Sequence, residues 1–139
     1  MTLIKGNAFS DDRGTLQFVN DFNFAGIKRF YTITHPNTSI VRAWQGHKIE
    51  NKNFFVSKGK FIICWVEIDN WDNPGKDLIV NKQIICAEEP QILTISSGNA
   101  NGFKALESDS TLVVFSDLCL EDSSIDMQRF DFDYWRCEE

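Results

Sequence analysis

The chain has 139 residues, 42% of them hydrophobic and 24% charged, which fits one soluble globular domain with a real core. Its formal net charge of −6 argues against a nucleic-acid-binding protein, because neutralising phosphates requires an excess of lysine and arginine. No apolar run approaches the roughly 20 residues needed to span a bilayer. We therefore expect residues 1–139 to form a single domain that binds neither nucleic acid nor membrane.

Short alternating segments separated by turn signals indicate an all-β sandwich or barrel. Twelve phenylalanines and four tryptophans also favour sheet packing. The predicted strands are residues 15–19, 27–34, 39–44, 53–57, 60–68, 78–86, 91–95 and 111–116. Near the end of the chain, residues 121–129 are predicted to form a short helix, with Ser123 as its cap and Ile125 and Met127 as its apolar edge.

The four cysteines, Cys64, Cys86, Cys119 and Cys137, are far apart and form no CxxC pair. Two of them, Cys64 and Cys86, sit in apolar runs, where a free thiol behaves as a small hydrophobe. The amino end carries no signal-peptide pattern, so we expect free thiols in the reducing cytoplasm. A disulfide or a zinc site is the less favoured alternative.

A polar cluster lies between residues 42 and 52, just before the predicted buried strand 60–68. It contains Arg42, Gln45, His47, Lys48 and Lys52. Such groups can bind a small anion and move a proton when a rigid sheet holds them together. The alternative is a solvated strand face, with His47 in a structural role. His35 precedes a proline in a turn signal and is expected to be a solvated loop residue.

Five short motifs follow one another along the chain: DRG at residues 12–14, VRAWQGHK at 41–48, Lys52 seven positions before Gly59, VEID at 66–69 with NPG at 73–75, and ISSGNANGF at 95–103. In this order they resemble DxRG, LRGLH or RGxHAHK, a conserved-spacing lysine, VDLR…SPT and IPxGxAHGF. Those motifs belong to the cupin-type enzymes that modify dTDP-4-keto-6-deoxy sugars. The two related groups are the dTDP-4-dehydrorhamnose 3,5-epimerases and the dTDP-4-keto-6-deoxyglucose 3,4-ketoisomerases, and the resemblance covers most of the chain.

The resemblance implies an antiparallel double-stranded β-helix, or jelly roll, that works as a homodimer in polysaccharide biosynthesis and needs no cofactor. It implies a nucleotide-sugar epimerase or isomerase that abstracts a proton next to the ketone of a dTDP-4-keto-6-deoxyhexose. In this interpretation His47 is the base, and Lys52 with Gln45 stabilises the enolate oxygen. Arg42, supported by Lys48 and Arg13, binds the diphosphate, and Asn101 binds a sugar hydroxyl. In the predicted dimer, residues 12–14 lie near the partner's pocket.

Three departures from the motifs keep a second interpretation open. Gln45 stands in place of the first histidine of the ketoisomerase motif, and Asn101 replaces the histidine of AHGF. No tyrosine occurs near residues 112–115, where the epimerases have one. The alternative is a non-catalytic sugar-nucleotide-binding or structural cupin. A metal cupin would need two or three converging histidines, and only His47 lies in the right region, so we predict no metal.

Overall fold

The computed structural model describes residues 1–138, and its core lies between two five-stranded antiparallel sheets. The elements are β1 (Thr2–Lys5), β2 (Asn7–Asp11), β3 (Gly14–Phe18), β4 (Arg29–His35), β5 (Val41–His47), β6 (Lys52–Lys58), β7 (Lys60–Glu67), β8 (Asn81–Cys86), β9 (Gln91–Ile95), β10 (Asn99–Ala105), β11 (Ser110–Ser116), α1 (Leu120–Asp126) and β12 (Met127–Arg129). Within residues 1–138, no helix is long and apolar enough to cross a membrane.

The first sheet has the strand order β1-β9-β6-β11-β4, and the second has the order β12-β5-β10-β7-β8. Side chains from the inner faces of both sheets form the main core, which includes Phe54, Phe61, Ile63, Leu93, Phe103 and Leu112. A separate hairpin, β2–β3, pairs with neither large sheet. The structure confirms the predicted all-β jelly roll.

An irregularity between β5 and β10 sets which side chains of β5 face the interior of the barrel. Asn101 pairs with Gln45 and Phe103 pairs with Arg42, so two residues of β5 lie opposite Gly102 alone. A Cβ atom on Gly102 would come within 2.6 Å of the Ala43 Cβ, so glycine is required for this close approach. The extra residue brings Arg42 and Gln45 to the same side of the strand, although simple alternation would place them on opposite sides.

Each of the eight predicted strands overlaps an observed strand, but the sequence did not predict β1, β2, β10 or β12. Strand β10 contains Gly102 and two asparagines, residue types that are depleted in strands. Strand β2 is exposed along its whole length and so lacks an alternating pattern. The predicted strand at 78–86 begins only at Asn81.

The predicted helix at 121–129 is partly wrong. Helix α1 ends at Asp126, and Met127–Arg129 instead pairs with β5 as strand β12. The N-cap is Cys119, while Ser123 lies inside the helix with its side chain buried. The Asp126 carboxylate accepts hydrogen bonds from three successive backbone N–H groups, those of residues 48–50, and thereby fixes the point where the chain leaves the helix.

The expectation of free thiols is wrong for Cys64 and Cys137, which form a disulfide with their Cα atoms 5.6 Å apart. Cys86 and Cys119 are free. The disulfide joins β7 to the C-terminal segment, where the indole N–H of Trp44 donates a 3.0 Å hydrogen bond to the Trp135 carbonyl. Disulfides are rare in reducing compartments, so this pair counts against the expected cytoplasmic location.

Candidate functional site

A cavity of about 220 Å³ lies between the two sheets, next to helix α1. Strands β4 and β6 supply one wall, and β5, β10 and β12 supply the other. Its cationic side chains are Arg29, Arg42, Lys52 and Arg129, and its neutral polar side chains include Tyr31, Gln45 and Asn101. None of the described lining residues is acidic. In an acidic protein, this concentration of positive charge favours an anionic ligand.

Lys52 is at the centre of the polar groups in the cavity. Its side chain is buried, with 4% exposed, and its Nζ donates a 2.9 Å hydrogen bond to the Tyr31 hydroxyl. The same ammonium group lies 3.4 Å from the Gln45 Oε1 atom. Three strands therefore bring an ammonium, a phenol and an amide together, a set that can stabilise an oxyanion and transfer a proton.

Sequence reasoning missed Tyr31. The related motifs place a tyrosine near residues 112–115, whereas Tyr31 lies on the neighbouring strand β4, directly opposite Val114. The alternation of Arg29, Tyr31 and Ile33 along β4 could have indicated a shared face of the strand. In the structure, all three side chains line the cavity. Arg129 was missed as well, because residues 127–129 were expected to be helical.

His47 does not line this cavity. Its imidazole is buried, with 2% exposed, and its Nδ1 atom lies 3.0 Å from the Glu50 Oε2 and 3.7 Å from the Asp126 Oδ2. The ring is within contact distance of Glu50 but is not aligned for a well-directed hydrogen bond to either carboxylate. His47 thus occupies a buried ionic cluster rather than the cavity wall.

The Glu50 carboxylate is the centre of that cluster. It accepts hydrogen bonds from the hydroxyls of Ser116 and Ser123, the latter at 2.8 Å, and from Arg29 at 3.2 Å. Burial alone raises the pKa of the Glu50 carboxyl by disfavouring its charged form. The His47 contact, the two serine hydroxyls and the charge of Lys52 act the other way and lower this pKa from 4.5 to about 2.

His47, Glu50 and Asp126 also form a group whose possible metal-ligand atoms lie within 4.8 Å of one another. Their oxygen lone pairs are already committed, because Glu50 binds Arg29 and two serines and Asp126 binds the backbone of residues 48–50. A guanidinium beside the group would also repel a cation. This set of donors suits an ion-pair network better than a metal centre.

The other predicted residues divide between the cavity and the surface. Arg42, Gln45 and Asn101 line the cavity with Lys52. Arg13 lies in the turn of the β2–β3 hairpin, 83% exposed, and pairs with Asp11. The Lys48 ammonium lies 5.5 Å from the centre of a Trp71 ring, outside the cavity lining.

The expectation that His35 is solvated is wrong. His35 is buried at the end of β4, and its ring lies 5.5 Å from that of Phe61 and 5.7 Å from that of Phe103. Pro36 follows the strand directly, so the turn signal marked the end of β4 rather than a solvated histidine. Burial, and secondarily the charge of Arg42, lower the pKa of His35 below its usual 6.5.

No protein-family model and no curated protein matches the sequence. Solved structures do. The dTDP-4-dehydrorhamnose 3,5-epimerase of Sulfolobus tokodaii has a TM-score of 0.76 at 24% identity, over 96% of this chain and 78% of that chain. The Bacillus anthracis dTDP-4-dehydrorhamnose 3,5-epimerase with TDP and PPi bound has a TM-score of 0.73 at 16% identity, over 91% of this chain and 76% of that chain. The sugar 3,4-ketoisomerase QdtA of Thermoanaerobacterium thermosaccharolyticum, in complex with TDP, has a TM-score of 0.70 at 19% identity, over 96% of this chain and 90% of that chain.

The chain has the fold of the dTDP-sugar epimerases and ketoisomerases. The resemblance that the five sequence motifs indicated is therefore confirmed for the fold. In this epimerase-like fold, the cationic cavity lies between the two sheets and is closed on one side by α1.

Proposed function

We propose that the protein binds a dTDP-linked 4-keto-6-deoxyhexose in this cavity and moves a proton at a carbon next to the ketone. The observation that carries the proposal is the Lys52–Tyr31 hydrogen bond within a cavity that has four cationic side chains. The fold supports the same ligand class, because two structural neighbours hold TDP. A related structure, the H51N mutant of QdtA, holds TDP-4-keto-6-deoxyglucose.

The sugar and the nucleotide would occupy adjoining spaces. At about 220 Å³ the cavity is smaller than the roughly 300–1,000 Å³ of typical ligand pockets. A cleft of about 560 Å³ adjoins it and shares Arg42, Gln45 and Arg129 with it. We assign the hexose to the cavity and the nucleotide to the cleft, with Arg42 and Arg129 holding the diphosphate at the boundary.

The chemistry follows from the ketone at C4, which acidifies the protons on C3 and C5. Removal of either proton leaves an enolate whose oxygen anion the Lys52 ammonium and the Gln45 amide can stabilise. Tyr31 is the better-placed proton carrier, because its hydroxyl lies in the cavity and accepts the hydrogen bond from Lys52. His47, the base expected from the motif, is the second candidate, and its contact with Glu50 holds it outside the cavity lining.

The alternative function is a non-catalytic sugar-nucleotide-binding cupin. It is favoured by one observation: amides, Gln45 and Asn101, occupy the cavity where the related motifs have histidines. Incubation with dTDP-4-keto-6-deoxyglucose in deuterated water separates the two functions. Deuterium at C3 or C5, read by NMR, supports the enzyme, whereas dTDP binding without any exchange supports the binding module.

We also propose that the protein is a homodimer in which the β2–β3 hairpin of one copy reaches the other copy. The hairpin pairs with neither large sheet, and Phe9 and Leu16 are exposed on it. Its turn carries Arg13, which pairs with Asp11 and would then lie near the partner's pocket. Light scattering at micromolar concentration should give a mass of two chains, and a monomer would contradict the proposal.

A further inference from the structure

The Glu50 carboxylate contacts four elements of the fold and does not itself line the cavity. It is almost fully buried, with 1% exposed, and lies in the loop between β5 and β6. Its oxygens accept hydrogen bonds from Arg29 on β4, Ser116 on β11 and Ser123 on α1. They also contact the His47 ring on β5. Both Arg29 and Ser123 line the cavity. One side chain outside the cavity thus holds two parts of its wall.

Arg29 connects Glu50 with the proposed proton-transfer groups, Tyr31 and Lys52. Its Nη2 atom also donates a 2.8 Å hydrogen bond to the Ser123 hydroxyl, and its Nε donates at 3.2 Å to the Leu118 carbonyl. With these contacts made, the guanidinium lies 5.0 Å from the centre of the Tyr31 ring. Tyr31 in turn accepts the hydrogen bond from Lys52. A continuous set of contacts therefore connects Glu50 with the phenol oxygen.

We propose that Glu50 is a positioning residue that holds Arg29 over the Tyr31 ring and holds α1 against the cavity. Without the carboxylate, the guanidinium loses its buried counter-charge and is no longer held over the Tyr31 ring. Helix α1 has only seven residues, too few to be stable alone, so it depends on tethers such as the Ser123–Glu50 bond. The role in proton transfer rests on the proposed function, whereas the role in holding α1 does not.

The test is Glu50→Gln, which keeps the shape of the side chain and removes its charge. Glu107→Gln is the matched control, because Glu107 makes an exposed ion pair with Lys60 at 3.5 Å. We expect Glu50→Gln to slow deuterium exchange of dTDP-4-keto-6-deoxyglucose by about ten- to a hundredfold, the loss typical when a residue that orients a metal ligand is removed. The dissociation constant for dTDP should change less than about twofold. An unchanged exchange rate, or equal losses in exchange and dTDP affinity, would overturn the proposal.

A second readout needs no substrate. Amide hydrogen exchange should become faster in α1 (Leu120–Asp126) of Glu50→Gln and stay unchanged in β9 (Gln91–Ile95). This result is expected even if the parent protein exchanges no ring proton, so failure of the proposed function is distinguishable from failure of this inference. If Glu50→Gln does not fold, Ser123→Ala removes the tether to α1 and keeps the Arg29–Glu50 pair. Unchanged α1 exchange in that variant would also overturn the proposal.

Discussion

The Lys52 ammonium donates a 2.9 Å hydrogen bond to the Tyr31 hydroxyl within the cavity between the two sheets. The lysine is on β6 and the tyrosine is on β4, with β11 between them in the sheet. No carboxylate lines the cavity in the described structure, and Glu50, whose pKa the charge of Lys52 helps to lower, lies outside the cavity lining. Burying the Lys52 ammonium lowers the stability of the fold, and such a buried charge is typical of a functional site.

The first prediction concerns Lys52→Met, which keeps the length of the side chain and removes its charge. Loss of an oxyanion-stabilising group typically lowers a rate by about 10²–10³-fold, so deuterium exchange into the keto sugar should fall by that factor. Thermal stability should stay level or rise, because a buried ammonium is replaced by an apolar group. Differential scanning calorimetry supplies the second measurement. A large loss of stability would show that Lys52 is mainly structural.

The second prediction concerns the diphosphate. Arg42→Ala removes a guanidinium at the boundary between cavity and cleft, so dTDP binding should weaken by about 1.5–3 kcal/mol in titration calorimetry. Arg136→Ala is a suitable control, because Arg136 is highly exposed and pairs only weakly with Glu138. If the parent protein and Arg42→Ala bind dTDP with equal affinity, Arg42 does not bind the diphosphate.

The third prediction is loss of stability in acid. The pKa of Glu50 is lowered in the folded state, so its contribution is complete above the unfolded value of 4.5 and is lost as the pH falls towards 2. The difference corresponds to about 3 kcal/mol of unfolding free energy. Denaturant titrations at pH 5, 4 and 3 should show this decline, and Glu50→Gln should flatten it. A Glu50→Gln protein with the parent's full acid dependence would contradict this assignment.

His35 makes the stability of the fold depend on pH in a second, higher range. Because burial lowers its pKa in the folded state, the unfolded chain binds a proton first as the pH falls below 6.5. Stability should therefore decline from pH 6.5 downwards, before Glu50 begins to titrate. In His35→Leu, which suits the neighbouring phenylalanines, this upper part of the decline should disappear.

The fourth prediction concerns the disulfide. Cys64 and Cys137 are 73 residues apart, so the loop-entropy model gives a stabilisation of about 4 kcal/mol for closing this loop. Cys137→Ser should lower the unfolding free energy by about 2–4 kcal/mol, whereas Cys119→Ser, at a free thiol, should change it little. Mass spectrometry of peptides from non-reduced protein checks the pairing. Recovery of both cysteines as free thiols would refute it.

Local patterns predicted much of the fold, because each of the eight predicted segments overlaps an observed strand. They could not predict β10, where Gly102 is needed for a close approach to Ala43 across the sheet. The same holds for β12, because its three residues, Met127–Arg129, form a strand by pairing with β5. Contacts of this kind depend on residues that are distant in the sequence.

The site shows the same division. Arg42, Gln45, Lys52 and Asn101 were predicted from motif positions and do line the cavity. Tyr31 was missed because its position opposite Val114 depends on strand pairing rather than on any local motif. His47 was expected in the cavity because it is the only histidine in the motif at residues 41–48, but its ring lies against Glu50, three residues further on, in the ionic cluster. Sequence reasoning found the polar groups and could not determine which of them share a surface.

Comparing Tyr31→Phe with His47→Asn in one assay tests directly which of the two side chains transfers the proton. Each variant is incubated with dTDP-4-keto-6-deoxyglucose in deuterated water, and exchange at C3 and C5 is followed by NMR beside calorimetric binding of dTDP. We expect Tyr31→Phe to slow exchange by about 10²–10⁴-fold with dTDP affinity nearly unchanged, and we expect His47→Asn to have the smaller effect on exchange. Exchange at the parent rate in Tyr31→Phe, with exchange abolished in His47→Asn, would contradict this expectation.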